Sequence, residues 1–236
     1  MKIFVNGDSH TIGSELYYPT QDTYSYRLAK LLGGEIVANP AIGGASNDRI
    51  LRTTEDYLRE CERDSSYPDL IIIGWSESCR TDWFVDNEYR SVFSQELTPE
   101  LSKEIDSERA KFHWDTWRQP EIRSTMAKFY HEKMYDLHRR LDHLNIPHLF
   151  FMGVCSLHYE ITGNNKLSMP ASFDNSIKKY DWNGSFWKVY EDISFLSWGR
   201  DQGYEITKWL HLREDAHAHF AELLHNHIIE NNIIGS

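Results

Sequence analysis

Three short apolar runs constrain the fold of this chain more than anything else in it. They are Lys2 to Val5, Leu70 to Ile73 inside Asp69-Leu70-Ile71-Ile72-Ile73-Gly74, and Leu149 to Met152 inside His148-Leu149-Phe150-Phe151-Met152-Gly153. A continuous apolar run, without polar alternation, is the pattern of a strand covered on both faces. Between the runs the period changes to that of helices. A stretch opened by Asp22 carries Tyr24, Leu28, Leu31 and Leu32 on one face and ends at Gly33-Gly34. Ser46 is placed to cap a helix reaching about Cys61, with Ile50, Leu51, Thr54, Tyr57 and Leu58 as its stripe. Glu121 to Leu144 and Glu214 to about Glu230 read as two further helices, the last with Phe220, Leu223, Leu224 and Ile228 inward. Glu35 to Ala38 is a second short strand. Strands alternating with helices predict an α/β fold, a parallel sheet of about five strands with helices on both faces.

At 236 residues, 40% apolar and with no internal repeat, the chain is expected to form a single three-layer α/β/α domain over residues 1–236. Two irregular stretches read as long insertions, at about 77–120 (with some helix) and 156–190. The net charge of −11, from 25 basic and 36 acidic residues, repels polyphosphate, so no nucleic-acid partner is expected. No apolar run reaches the roughly 18 residues that suggest a membrane span. The opening Met1 to Gly7 reads as a strand rather than a signal peptide, and Cys61, Cys79 and Cys155 are an odd number at wide spacing, so a cytoplasmic location is expected.

In parallel sheets, sites form where loops leave the carboxyl ends of the strands. Four such loops follow Val5, Ala38, Ile73 and Gly153. The first holds Gly7-Asp8-Ser9-His10, where a serine between strand and helix can point into the cleft as a nucleophile. Ordinary turn chemistry explains Gly-Asp-Ser equally well. The second loop holds Gly43-Gly44-Ala45-Ser46-Asn47, whose N–H groups can face developing negative charge or can simply make a tight turn.

Taken together, these blocks resemble the SGNH (GDSL) hydrolases. Gly7-Asp8-Ser9 is similar to that family's first block, Gly44 to its second, Gly74-Trp75-Ser76 to its third, and a histidine before the last helix to its fifth. The resemblance spans nearly the whole chain and implies the family's flavodoxin-like α/β fold. It also implies Ser9 as nucleophile, His211 as base, and an oxyanion hole from Ser9 and Gly44 with Ser76 or Asn47. Asp8, His10 and Arg80 become supporting or substrate-binding residues. His217 and His219 are alternatives for the base, but they fall inside the helix. The spacing of His211 to Ala216-His217 is most like that of phage-encoded members, with Leu212 where they have proline.

Two departures stand out. Lys208 occupies the place of the aspartate that orients the histidine in that family, which leaves a Ser-His dyad or a carboxylate from elsewhere, such as Asp192, Asp201 or Glu205. Ser76 stands where the family has an asparagine. The resemblance implies a hydrolase of carboxyl esters bearing a small acyl group, such as acetyl on a carbohydrate, with no cofactor. The alternative is a binding or structural module of the same fold, for example a virion-associated glycan binder, with association into virions or homo-oligomers. Trp83, Trp114, Trp117, Trp182, Trp187 and Trp198 can form a sugar-stacking platform or the small core of a lid. His217, His219, His225 and His227 lack the i,i+4 spacing of a helical zinc site, so no metal is expected.

Overall fold

The computed structural model describes residues 1–85, 88–92, 108, 112, 115, 116, 119–157, 160 and 179–235. Four strands, β1 (Lys2–Asn6), β2 (Glu35–Ala38), β3 (Leu70–Trp75) and β6 (His148–Met152), form one parallel sheet in the order β2-β1-β3-β6. A short antiparallel hairpin, β4 (Thr81–Val85) and β5 (Glu88–Val92), lies between β3 and β6 in the chain. The helices are α1 (Ser9–Ile12), α2 (Pro19–Asp22), α3 (Tyr24–Leu31), α4 (Asn47–Asp64), α5 (Pro120–His143), α6 (Phe195–Asp201) and α7 (Glu214–Glu230).

Each buried run divides its side chains between two cores, because successive residues of a strand point to opposite faces. Phe4, Ile71, Ile73, Trp75, Phe150 and Met152 face α4 and α5, where Ile50, Leu58, Tyr130, Met134, Leu137 and Leu141 meet them. Ile3, Val5, Leu70, Ile72, Leu149 and Phe151 face the other layer, built from Tyr24 and Leu28 of α3, Phe195 and Trp198 of α6, and Phe220, Leu224 and Ile228 of α7. That is the expected α/β/α arrangement.

The sequence leads to about five strands in this sheet. The described sheet has four, and the fifth position is a single parallel bridge of Phe186 to Phe150, in which Phe150 N donates to Ser185 O and Trp187 N to Phe150 O, both at 2.8 Å. Neighbouring turns at Asn183 and Gly184, both with positive φ, keep that segment from extending. The 77–120 stretch begins with the hairpin, and its described residues 108, 112, 115 and 116 are helical. The helix expected from Asp22 starts at Tyr24 after the separate α2, and α4 runs one turn beyond Cys61 to a left-handed Ser65 at φ 51°.

The chain passes from β1 to β2 on one side and then crosses to β3 on the other. The carboxyl ends of β1 and β3 therefore flank a crevice, the position at which open parallel sheets place their sites. Gly7, directly beyond β1, and Gly74 of β3 sit there and admit α1 close to the sheet. A Cβ on Gly7 would lie 2.1 Å from Thr11 Oγ1, and one on Gly74 would lie 3.0 Å from the same atom.

Candidate active site

Ser9 is the first residue of α1, directly beyond β1, and is 8% exposed. Asp8 caps this helix by accepting the His10 N–H at 3.0 Å on Oδ1. Its other oxygen, Oδ2, receives the Ser76 hydroxyl at 3.3 Å and Arg80 Nη1 at 3.2 Å, and Arg80 Nη1 also reaches Ser76 Oγ at 2.9 Å. Asp8 is 1% exposed, so its charge needs this compensation. Gly153, after β6, completes the convergence: a Cβ there would stand 3.7 Å from Asp8 Oδ1.

Gly44 lies at the third position of a turn closed by Ala45 N donating to Ile42 O at 3.3 Å, with φ of 72°. That conformation belongs to glycine at this place in a type II turn. Among the described residues, neither the Ser9 N–H nor the Gly44 N–H has a protein acceptor. Such N–H groups are what an oxyanion requires.

Ser76 and Asn47 are engaged elsewhere. Asn47 Nδ2 donates to Ser76 O at 3.1 Å and Asn47 Oδ1 accepts Ser76 N at 2.8 Å, so this amide clamps the loop after β3 by its backbone. The single Ser76 hydroxyl proton points to Asp8. Arg80 is turned inward against Asp8 and Ser76, with Glu77 3.8 Å from its Nε. Glu77 in turn accepts from the thiols of Cys79 at 3.4 Å and Cys155 at 3.2 Å; all three cysteines of the chain are free.

His211 comes from the segment before α7, held by the Ile206–Leu212 bridge, by Thr207 N donating to His211 O at 2.8 Å, and by His211 N donating to Thr207 Oγ1 at 3.0 Å. Its ring stands edge-on to that of His10, 5.2 Å between centroids. Its Nδ1 meets Glu15 Oε2 at 2.6 Å, and the Thr207 hydroxyl donates to the same oxygen. Partial desolvation pushes the Glu15 carboxyl upward, but the hydrogen bonds from Thr207 and His211 outweigh it and hold the group below its ordinary range. Arg213 Nη1 adds a bond to Glu15 O at 3.3 Å.

Glu15 is thus the carboxylate at His211, and sequence reading missed it. The three acids considered lie elsewhere: Asp201 pairs with Arg200 at 3.1 Å, Glu205 with Arg213 at 3.4 Å, and Asp192 accepts from Ser156. One local sign exists only in three dimensions: Glu15 has φ of 66°, a left-handed conformation uncommon for a residue with a side chain.

The other histidines are placed differently. His217 is 1% exposed, its Nδ1 accepts Tyr24 N at 3.1 Å, and burial pushes its pKa down to about 3, so it joins α7 to α3 as a neutral ring. His219 bonds Tyr204 OH at 2.7 Å. His10 is buried beside Phe195, its pKa held at about 4, first by desolvation. Glu160, also unforeseen, is buried on Ser78, with its carboxyl pushed up to about 8 by that burial.

The aromatic platform needs correction. Trp182, Trp187 and Trp198 are 5–6% exposed and belong to the two cores. Trp114, Trp117 and the Trp83 ring lie outside the described residues, as does most of the 156–190 stretch. Among the described residues, no helix is long and apolar enough to cross a membrane.

Three solved structures resemble the chain at low identity. An esterase, EstA, from Pseudoalteromonas sp. aligns over 97% of both chains with 12% identity and a TM-score of 0.44. An acetyl xylan esterase, Est2A, from the rumen bacterium Butyrivibrio proteoclasticus aligns over 100% of this chain and 64% of its own, with 12% identity and a TM-score of 0.45. The acetyl xylan esterase AlAXEase aligns over 95% and 98%, with 13% identity and a TM-score of 0.44. No curated protein matches the sequence. A family model matches residues 5–235, nearly the whole length, and the chain belongs to that family, the family of unknown function DUF6071.

Proposed function

We propose that this chain is a serine hydrolase of carboxyl esters, in which Ser9 is the nucleophile, His211 the general base and Glu15 the acid that orients it. The observation that carries the reading is the 2.6 Å hydrogen bond between His211 Nδ1 and Glu15 Oε2. A carboxylate only accepts, so the His211 proton resides on Nδ1 and Nε2 keeps its lone pair, the tautomer a general base needs. In the reaction Nε2 takes the Ser9 proton as Oγ bonds to the acyl carbon, and the imidazolium then returns the proton to the departing alcohol. Water, deprotonated by the same nitrogen, releases the acid and restores Ser9.

The Ser9 and Gly44 N–H groups receive the oxyanion. Because the Ser76 hydroxyl and the Asn47 amide are committed, this hole works with two backbone donors. One missing donor costs roughly 3–4 kcal/mol of transition-state stabilisation, so a slow enzyme for activated or small acyl esters is expected. Acetyl on a carbohydrate is the substrate class the SGNH resemblance favours, and no cofactor enters the scheme.

The commitment of Ser76 and Asn47 also favours a second reading, a non-catalytic glycan-binding module, of the kind a virion carries. A fluorophosphonate probe followed by peptide mass spectrometry separates the two. An adduct on Ser9 that disappears in His211→Ala, with hydrolysis of p-nitrophenyl acetate lost in Ser9→Ala, is expected. Absence of any adduct under conditions that label a control serine esterase sinks the hydrolase and leaves the binding module.

A further inference from the structure

At the other end of β6 from the serine site, two buried histidines face each other. His148, the first residue of β6, and His138 of α5 are each 1% exposed, and His148 Nε2 lies 2.7 Å from His138 Nδ1. Their outer nitrogens are already occupied. His148 Nδ1 bonds Ile146 O at 2.9 Å, and a carbonyl can only accept, so the His148 proton is there. His138 Nε2 lies 3.3 Å from Asp142 Oδ2, and the Asp181 backbone is a further hydrogen-bond partner of the His138 ring. A neutral imidazole carries one N–H, so with the His148 proton on Nδ1 its Nε2 accepts the inner hydrogen bond from His138 Nδ1. A metal ion can take the place of that single shared proton and bridge the two inner nitrogens.

We propose that His138, His148 and Asp142 form a site for a divalent transition metal of the zinc class, with His138 Nδ1, His148 Nε2 and the Asp142 carboxylate as ligands. One ligand atom from each residue lies within 4.8 Å of the others. Two imidazoles and one carboxylate are a zinc-type donor set, and histidine ligands ordinarily give their second N–H to a carbonyl or carboxylate, as His148 does to Ile146 O. Two metal–nitrogen bonds of about 2.0 Å at a tetrahedral angle need the rings to part by roughly half an ångström. Asp142 can turn toward the metal because its side chain is 43% exposed. A cleft of about 320 Å³, lined by Asp142, His148, Asn145, Asn183 and Asn231, provides the path for the ion and room for a water as fourth ligand. The metal would fasten α5 to β6, a structural role separate from the ester chemistry.

The test is titration of EDTA-treated, dialysed protein with ZnCl2 by calorimetry, with thermal unfolding measured alongside. One ion per chain and a raised Tm are expected. Both effects should be lost in His148→Gln and weakened at least tenfold in Asp142→Asn, a half-exposed change that leaves the core intact. An absence of binding heat with an unchanged Tm overturns the site, as does binding that persists undiminished in both variants and so belongs to surface histidines. Ester hydrolysis should be the same with and without zinc.

Discussion

Glu15 and His211 are 196 residues apart in the chain and 2.6 Å apart in the fold. Thr207 bonds both of them, which fixes the carboxylate and the ring as one unit. Glu15 follows α1 by a few residues, so the segment after β1 that carries Ser9 also carries the carboxylate at His211.

Replacing Glu15 with glutamine keeps the shape and removes the charge. The amide can present its N–H to His211 Nδ1 and stabilise the wrong tautomer, a change that can cost on the order of 10⁴ in rate. The expected outcome is a fall in kcat of at least a hundredfold with little change in KM or Tm. A kcat within threefold of wild type would show that His211 works without Glu15.

Acid should unfold this protein readily. Burial holds His10 and His131 at about 4 and His217 at about 3, below the ordinary 6.5. As pH falls from 6.5 toward 4, the unfolded chain takes up protons that the fold refuses, so stability declines over that window. Glu160 acts in the opposite sense: raised from 4.5 to about 8, its contribution is present below 4.5 and fades as pH climbs to 8. Between 4.5 and 6.5 three histidines outweigh one carboxyl, and Tm should drop on acidification. His131 Nε2 is buried with no hydrogen-bond partner among the described residues. His131→Phe should therefore raise stability by about 1–3 kcal/mol and flatten the acid limb; a lowered Tm contradicts the assignment.

Gly7→Ala should be among the most damaging single-atom additions in the chain. Its Cβ would meet Thr11 Oγ1 at 2.1 Å and the Gly74 carbonyl at 2.9 Å, and the latter is backbone that cannot swing away. Displacing α1 moves Ser9 with it. Loss of soluble folded protein, or a Tm lowered by more than 10 °C together with lost probe labelling, is expected from thermal melts and mass spectrometry.

Asn47 and Ser76 should behave unlike oxyanion donors. Asn47→Ala strips the buried Ser76 N–H and C=O of their partners, a destabilisation of about 2–4 kcal/mol in denaturant titrations. Ser76→Ala leaves Asp8 still paired with Arg80, and should change kcat by less than tenfold. A kcat loss of a hundredfold or more in Ser76→Ala would place its hydroxyl on the oxyanion instead.

What the sequence determined by itself was whatever depends on neighbours along the chain. Ile3-Phe4-Val5, Leu70–Ile73 and Leu149–Met152 read as strands because uninterrupted apolar runs have few other uses. Ser46 read as a cap, Gly44 as a tight turn, and α7 as an amphipathic helix, all from local patterns. Tertiary structure alone decided the strand order, since parallel pairing carries no short-range signal, and it reduced the fifth strand to one bridge at Phe186. It also chose Glu15 for His211 from 36 acidic residues, turned Asn47 and Ser76 toward each other, and buried His217 against Tyr24. Hydrogen-bond partners at such separations are set by how the layers pack, and a linear pattern does not encode them.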